Sequence, residues 1–267
     1  MRSIDKRSLP VPPGGKEALD AMIEYVSERS VALIISSPGG VFVGSASCIQ
    51  IGQVFLLATA AHNLDDFPDA SQIRLLPRGV RASPGIPFLR RSHPRSEPHP
   101  HDVAWIEVQP EIATRDGLQF VGLDDIAPGT QHSTDHPFFV QGFPAEELLV
   151  HSESDLDLMS LGLGTMSVPV NSGDDLVVEY PPQSAADVGL ELVPFDGISG
   201  GGIWTFPSFS DHIVWSPAQM RLVAINRSWQ QSRGLLFAEL IDHWLRLVWH
   251  DFIALRGEIE SMAEASK

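Results

Sequence analysis

Short β-type runs, cut apart by glycine and proline, fill the middle of this chain and constrain its fold more than any other feature. A first series comprises Val31–Ser36, Ser45–Gln50, Gln53–Thr59, Ile73–Pro77 and Val103–Val108. A second comprises Phe138–Gly142, Leu163–Val170, Leu176–Tyr180, Gly201–Phe206 and Arg221–Arg227. Pro38-Gly39-Gly40, Gly52, Pro77 and Pro84-Gly85 interrupt the first series at the points where a strand must stop or turn. No alternating strand–helix pattern separates the runs, which argues against a parallel α/β sheet. The rhythm predicts two groups of about six short strands each, arranged as two small barrels or a sandwich pair. With 267 residues, 43% of them hydrophobic, the chain has enough apolar material for real cores and is not disordered.

Helical patterns flank the β region. Lys16–Glu28 places apolar residues at 19, 22, 23 and 26, which predicts a short amphipathic helix. From Phe237 to Met262, apolar residues recur at 241, 244, 245, 248, 252, 255, 259 and 262, which predicts a long C-terminal helix. The expected organisation is a lead and helix over 1–29, a first barrel over 30–120, a connector over 121–137, a second barrel over 138–236 and the C-terminal helix over 237–267. The formal net charge of −16 argues against a nucleic-acid or anionic-membrane surface, which needs clustered cations. No apolar run approaches the ~20 residues of a membrane span. Met1–Gly15 lacks the apolar core of a secretory signal. Cys48, the single cysteine, permits no internal disulfide, and a β-rich secreted chain of this size usually carries several. A cytoplasmic location is therefore expected.

Three segments carry chemistry. In Leu57-Ala58-Thr59-Ala60-Ala61-His62-Asn63, an apolar strand ends in small residues and presents one histidine. In His101-Asp102-Val103-Ala104-Trp105, an aspartate stands where a buried strand begins. In Phe195-Asp196-Gly197-Ile198-Ser199-Gly200-Gly201-Gly202, a serine lies inside a glycine-rich turn that leads into a strand. Each has a bland reading: a hydrogen-bonded histidine, a solvated turn aspartate, a loop serine. Together they supply a nucleophile, a base and a carboxylate to orient it. A serine hydroxyl is a poor nucleophile until an imidazole takes its proton, and that imidazole needs a carboxylate to fix its tautomer. Glycines around the serine let backbone N–H groups converge on one point, where an oxyanion can be stabilised.

In this order the three segments resemble the trypsin/chymotrypsin-like serine proteases, whose marks are T-A-A-H, D-x-A and G-x-S-G-G. The separations of 40 residues (His62 to Asp102) and 97 residues (Asp102 to Ser199) are similar to those of the family. The resemblance covers roughly residues 30–240. It implies a mostly β fold of two six-stranded antiparallel barrels, here with a short N-terminal helix and a long C-terminal one. It further implies peptide-bond hydrolysis through an acyl-enzyme, with His62 as base and acid, Asp102 orienting it and Ser199 attacking. The N–H groups of Gly197 and Ser199 would form the oxyanion hole.

The chain also departs from the pattern. Where secreted members have an aspartate before the serine, which pairs with a processed N-terminus, this chain has Ile198. Activation by N-terminal trimming is therefore not expected, and the chain looks more like disulfide-free bacterial or intracellular relatives. Gly202 replaces a common proline. For substrate binding, Ser228-Trp229 resemble the strand edge that pairs with substrate main chain. Val193 would give an apolar pocket floor favouring an uncharged P1 side chain, whereas Arg227 would favour an acidic one; both alternatives stay open. Protein or peptide is the expected partner, and neither a cofactor nor a metal is required.

Two other patterns compete with this one. Gly197-x-Ser199-x-Gly201 also fits the nucleophile elbow of α/β-hydrolases, and Asp211, Asp242, His243 and His250 follow it, but the 68 residues after Ser199 are too few for the remaining strand–helix units. His93, Glu97, His99 and His101 can be drawn as a metal set, yet Pro94, Pro98 and Pro100 favour an extended, exposed loop. That basic segment, Phe88–His101, and the C-terminal helix are the expected docking surfaces for a regulatory protein. A protease-fold binding module with a latent triad is the alternative to an active peptidase.

Overall fold

The structure, a computed structural model, describes residues 16–37, 40–65, 73–77, 88–92, 101–115, 118–128, 137–152, 155–168, 175–180, 196–205 and 216–265. Two six-stranded antiparallel sheets dominate it. The first has the spatial order β4-β1-β2-β3-β6-β5, built from β1 (Ser30–Ser37), β2 (Gly40–Ile51), β3 (Val54–Thr59), β4 (Ile73–Pro77), β5 (Phe88–Arg91) and β6 (Ala104–Val108). The second has the order β10-β7-β12-β13-β14-β11. Its strands are β7 (Pro137–Gly142), β10 (Leu161–Met166), β11 (Asp175–Glu179), β12 (Gly202–Thr205), β13 (Leu222–Gln230) and β14 (Leu235–Leu240). A two-stranded hairpin, β8 (Leu148–Ser152) with β9 (Asp155–Leu158), stands apart. The antiparallel ladders exclude the α/β-hydrolase alternative, which needs a largely parallel sheet.

Strand alternation explains where the core sits. In β3, Leu57 faces one way, into an interior it shares with Val31, Leu33, Cys48, Ile73 and Ile106. Its neighbours Leu56 and Ala58 face the other way, as the period-2 geometry demands. They meet a third core between the sheets, which includes Trp105, Phe139, Trp204 and Ile225. The second sheet encloses its own interior of Phe138, Val140, Val178, Ile198, Ile203 and Leu236. Cys48 belongs to the first interior, fully buried and opposite Leu57 on β3. Burial pushes its thiol pKa up, because the thiolate would be desolvated.

The helices close the seam between the sheets. α1 (Lys16–Ser27) inserts Met22 and Val26 there. Two one-turn-scale helices, α2 (His62–Asp65) and α3 (Pro110–Arg115), follow β3 and β6. The C-terminal helical segment is divided into α4 (Ile241–Asp251) and α5 (Arg256–Ala265), joined by a 3₁₀ turn at Ile253–Leu255. The periodicity continues across the break, but Phe252 adopts an extended φ of −116°. That turns its ring onto Trp105, with centroids 4.7 Å apart. Asp251 accepts the Trp105 indole N–H at 2.7 Å. Tertiary packing, not a proline or glycine, interrupts the helix here. Ile241, Trp244, Leu245 and Val248 are buried in the seam, so the apolar face of α4 is already covered.

Two further differences from the sequence reading have local causes. Leu235–Leu240 is strand β14 rather than the start of the helix. The run LLFAEL is too short to distinguish the two periods, and pairing with both β13 and β11 decides the outcome. Phe88–Arg91, read as loop, pairs with β6 through an irregular register between Phe88 and Arg90.

Candidate active site

The site forms where the two sheets meet. At the end of β3 the chain places Ala60 and Ala61 in the interior and turns at once into α2, closed by Asn63 N–H to Ala60 O (3.2 Å) and Leu64 N–H to Ala61 O (2.8 Å). The small side chains of both alanines let the turn sit directly on the packed interior. His62 is thereby lifted out, its side chain 44% exposed. The basic patch contributes here: Arg91 donates to the carbonyl of Leu64 at 2.8 Å, satisfying the end of this short helix.

Asp102, on the run into β6, receives two bonds from the histidine. Its Oδ2 is 2.8 Å from His62 Nδ1, and its Oδ1 accepts the His62 backbone N–H at 3.0 Å. The carboxylate therefore fixes both ring and backbone of His62. With Nδ1 donating, the other ring nitrogen, Nε2, is the one left to accept a proton.

Ser199 comes from the second sheet, on the turn Asp196–Gly200 before β12. Gly197 and Gly200 have φ of +90° and +89°, a region that side-chain-bearing residues avoid. The turn is stitched to the first sheet. Ser45 N–H and Asn63 Nδ2 both donate to the Ser199 carbonyl, each at 2.8 Å. Ser45 Oγ donates to the Gly197 carbonyl at 2.7 Å and accepts the Phe143 N–H at 2.8 Å. Thr59 Oγ1 donates to the Ser45 carbonyl at 2.7 Å and accepts from Asn63 Nδ2 at 3.1 Å. Ile198, in place of an ion-pairing aspartate, lies fully buried in the second interior.

Peptide planarity sets the directions of the flanking N–H groups. The Asp196 carbonyl accepts Ala145 N–H at 2.7 Å, so the Gly197 N–H of the same peptide points the opposite way. The Ile198 carbonyl accepts Gly201 N–H at 3.0 Å, which fixes the Ser199 N–H likewise. Among the described residues, neither N–H has an acceptor. The Ser199 hydroxyl donates to the Arg227 carbonyl at 3.1 Å and, among the described residues, makes no hydrogen bond to His62.

The remaining expected residues are placed as follows. Val193 lies outside the described residues. Arg227 stands at a β-bulge in β13, between Asn226 and Ser228. Its guanidinium pairs with Glu239 at 2.8 Å, so its charge is answered inside the protein. Ser228 is exposed. Trp229 rests edge-on against Tyr180, with centroids 5.6 Å apart, and its indole N–H donates to the Tyr180 carbonyl at 3.3 Å.

Of the metal set drawn from sequence, His93, Glu97 and His99 lie outside the described residues. His101 instead meets Glu239 and His243, with candidate ligand atoms within 4.8 Å of one another. The two imidazoles are stacked, centroids 3.4 Å apart and 13° from parallel. Rings stacked this way do not aim both lone pairs at one ion, and Arg227 already occupies the carboxylate. This group is an ion-pair and hydrogen-bond network rather than a cation cage. Sequence reasoning missed Glu239, Ser45 and Asn63. Only Asn63 gave a signal, its place directly after the histidine.

A two-sheet antiparallel fold with Ser, His and Asp gathered at the seam defines the class: this is the fold of the trypsin/chymotrypsin-like serine proteases. Solved structures agree. The serine endoprotease from Yersinia pestis is 14% identical, with a TM-score of 0.53, over 85% of this chain and 64% of that one. The scabies mite inactivated protease paralogue S-I1 is 13% identical, TM-score 0.52, over 84% and 94%. The HtrA-type protease AlgW, solved with a tripeptide, is 14% identical, TM-score 0.51, over 87% and 64%. The chain thus spans less than two thirds of the first and third. No family model and no curated protein sequence matches it.

Proposed function

We propose that this chain is a serine endopeptidase of the trypsin-like type. His62 Nε2 takes the Ser199 proton as Oγ bonds to the scissile carbonyl carbon. The oxyanion is held by the Gly197 and Ser199 N–H groups. Collapse breaks the C–N bond, with the imidazolium returning the proton to the leaving amine, and water then hydrolyses the acyl-enzyme by the same route. A base in such a triad works only while its carboxylate holds the correct tautomer and ring orientation. What supports the reading in this chain is the two-point bond between Asp102 and His62. The single buried cysteine fits a cytoplasmic setting.

One observation favours a second reading, a latent form switched on by a partner or substrate. The Ser199 hydroxyl rests on the Arg227 carbonyl and must rotate towards His62 before it can attack. The neighbours themselves include proteases and an inactivated paralogue, so the fold does not choose. The deciding experiment is labelling with a fluorophosphonate probe, alongside cleavage profiling of a peptide library. Wild type is expected to label and cleave, and Ser199→Ala to do neither. Equal labelling of both would refute the assignment of Ser199, and absence of labelling in wild type would favour the latent form.

A further inference from the structure

Glu239 is the least expected residue near the site. It lies on β14 opposite Ile225, with its side chain 1% exposed. A buried carboxylate is costly unless its oxygens are fully engaged. Here they are. Oε1 accepts the Asp102 backbone N–H at 3.1 Å and an Arg227 guanidinium N–H at 2.8 Å. Oε2 meets His101 Nδ1 at 3.1 Å, and the His101 ring is itself backed by the stacked His243 of α4.

The two partners of Oε1 belong to different halves of the molecule. Asp102 leads into the first sheet and holds His62. Arg227 is the bulged residue of the second sheet, and its carbonyl holds the Ser199 hydroxyl. One oxygen atom thus ties the backbone beside the base-orienting carboxylate to the residue that parks the nucleophile. A buried ion pair of this kind adds little stability on its own, since apolar replacements of similar size often serve as well. Its geometry is better explained by what it aligns.

We propose that Glu239 is a positioning residue, which sets the distance between the His62–Asp102 pair and Ser199 across the seam. The inference rests on the peptidase reading for its rate measurements, but not for its spectroscopic one. Glu239→Gln keeps the reach and an acceptor oxygen for both Asp102 and Arg227. Glu239→Asp keeps the charge but withdraws the carboxylate by one methylene. The double variant Glu239→Leu with Arg227→Met removes the pair without stranding a charge.

The experiment measures the fluorophosphonate inactivation rate and probe affinity separately, with proton NMR of the His62 Nδ1–H bonded to Asp102. The expected order of rates is wild type, Gln, Asp, double variant, with the last down by about 10²-fold and probe affinity nearly constant. The low-field His62 resonance is expected to persist in the Gln variant and to shift or broaden in the other two. Gln slower than Asp would show that charge matters rather than reach, and would overturn the proposal. So would a folded double variant with wild-type rate and resonance. If the double variant does not fold, the Gln-against-Asp order decides alone. If wild type never labels, the peptidase reading fails, and an unchanged His62 resonance in the Asp variant then overturns the role of Glu239 independently.

Discussion

Replacing Gly200 by alanine tests the packing of the serine turn. At φ of +89° an L-residue costs about 1–2 kcal/mol, from the close approach of Cβ to backbone. The new methyl would also land on the Ser45 carbonyl oxygen and on Thr59 Oγ1, which are hydrogen-bonded to each other. Separating that buried pair costs about 1–3 kcal/mol more. The sum, on the order of 2–5 kcal/mol, is a large part of the ~5–15 kcal/mol that holds a domain together. It should lower the thermal midpoint by at least about 4 °C, at roughly 2–4 °C per kcal/mol for a chain of this size. Urea denaturation followed by tryptophan fluorescence gives the stability change directly. Fluorophosphonate labelling below the transition reports whether Ser199 has moved. Gly257→Ala is the matched control. It lies in α5 with nothing near its would-be Cβ, so it should stabilise the helix by up to about 1 kcal/mol. A Gly200→Ala protein within about 0.5 kcal/mol of wild type, labelling at the wild-type rate, would refute the argument.

Ser45→Ala should cost about 1–3 kcal/mol, because it strands the buried Phe143 N–H and releases the Gly197 carbonyl. Labelling should slow with it, and a variant that keeps wild-type stability in urea and wild-type rate would contradict the assigned bonds. The chain has two tyrosines, and burial raises both, Tyr180 to about 12. A folded-state value above the ordinary one of about 10 favours the neutral phenol. Its contribution to stability is therefore complete below pH about 10 and lost as pH rises towards about 12. Alkaline titration of tyrosinate absorbance should show no full native transition near pH 10, with Tyr180 ionising as the protein loses stability. Two tyrosines ionising reversibly near pH 10 in the folded state would be the contrary result.

The three segments of the candidate site were legible because each is local. Thr59 to His62 carries its own strand, its small residues and its exposed tip in consecutive positions. Gly197 and Gly200 advertise backbone angles that few other residues adopt. The two-sheet architecture was legible from the spacing of glycine and proline between apolar runs. What was not legible depends on contacts distant in sequence. Glu239 reads as an ordinary charged position in a short apolar run, and only pairing with β13 brings it to Asp102, 137 residues away. The bulge at Arg227 has no sequence mark, yet it puts the guanidinium and the carbonyl of one residue on two different tasks. The break at Phe252 follows from the position of Trp105, which no periodicity of the helix itself encodes.

The covered face of α4 has a consequence for the order of events in synthesis. Both sheets emerge from the ribosome before Ile241, Trp244 and Val248, which help to fill the seam between them. Domains generally fold from the N-terminus as they appear, so each sheet can form while the seam is still open. His62 and Ser199 sit on opposite sides of that seam. A nascent chain therefore carries His62 and Ser199 on two sheets whose shared interior is still incomplete, and the seam between them is filled only after α4 has docked.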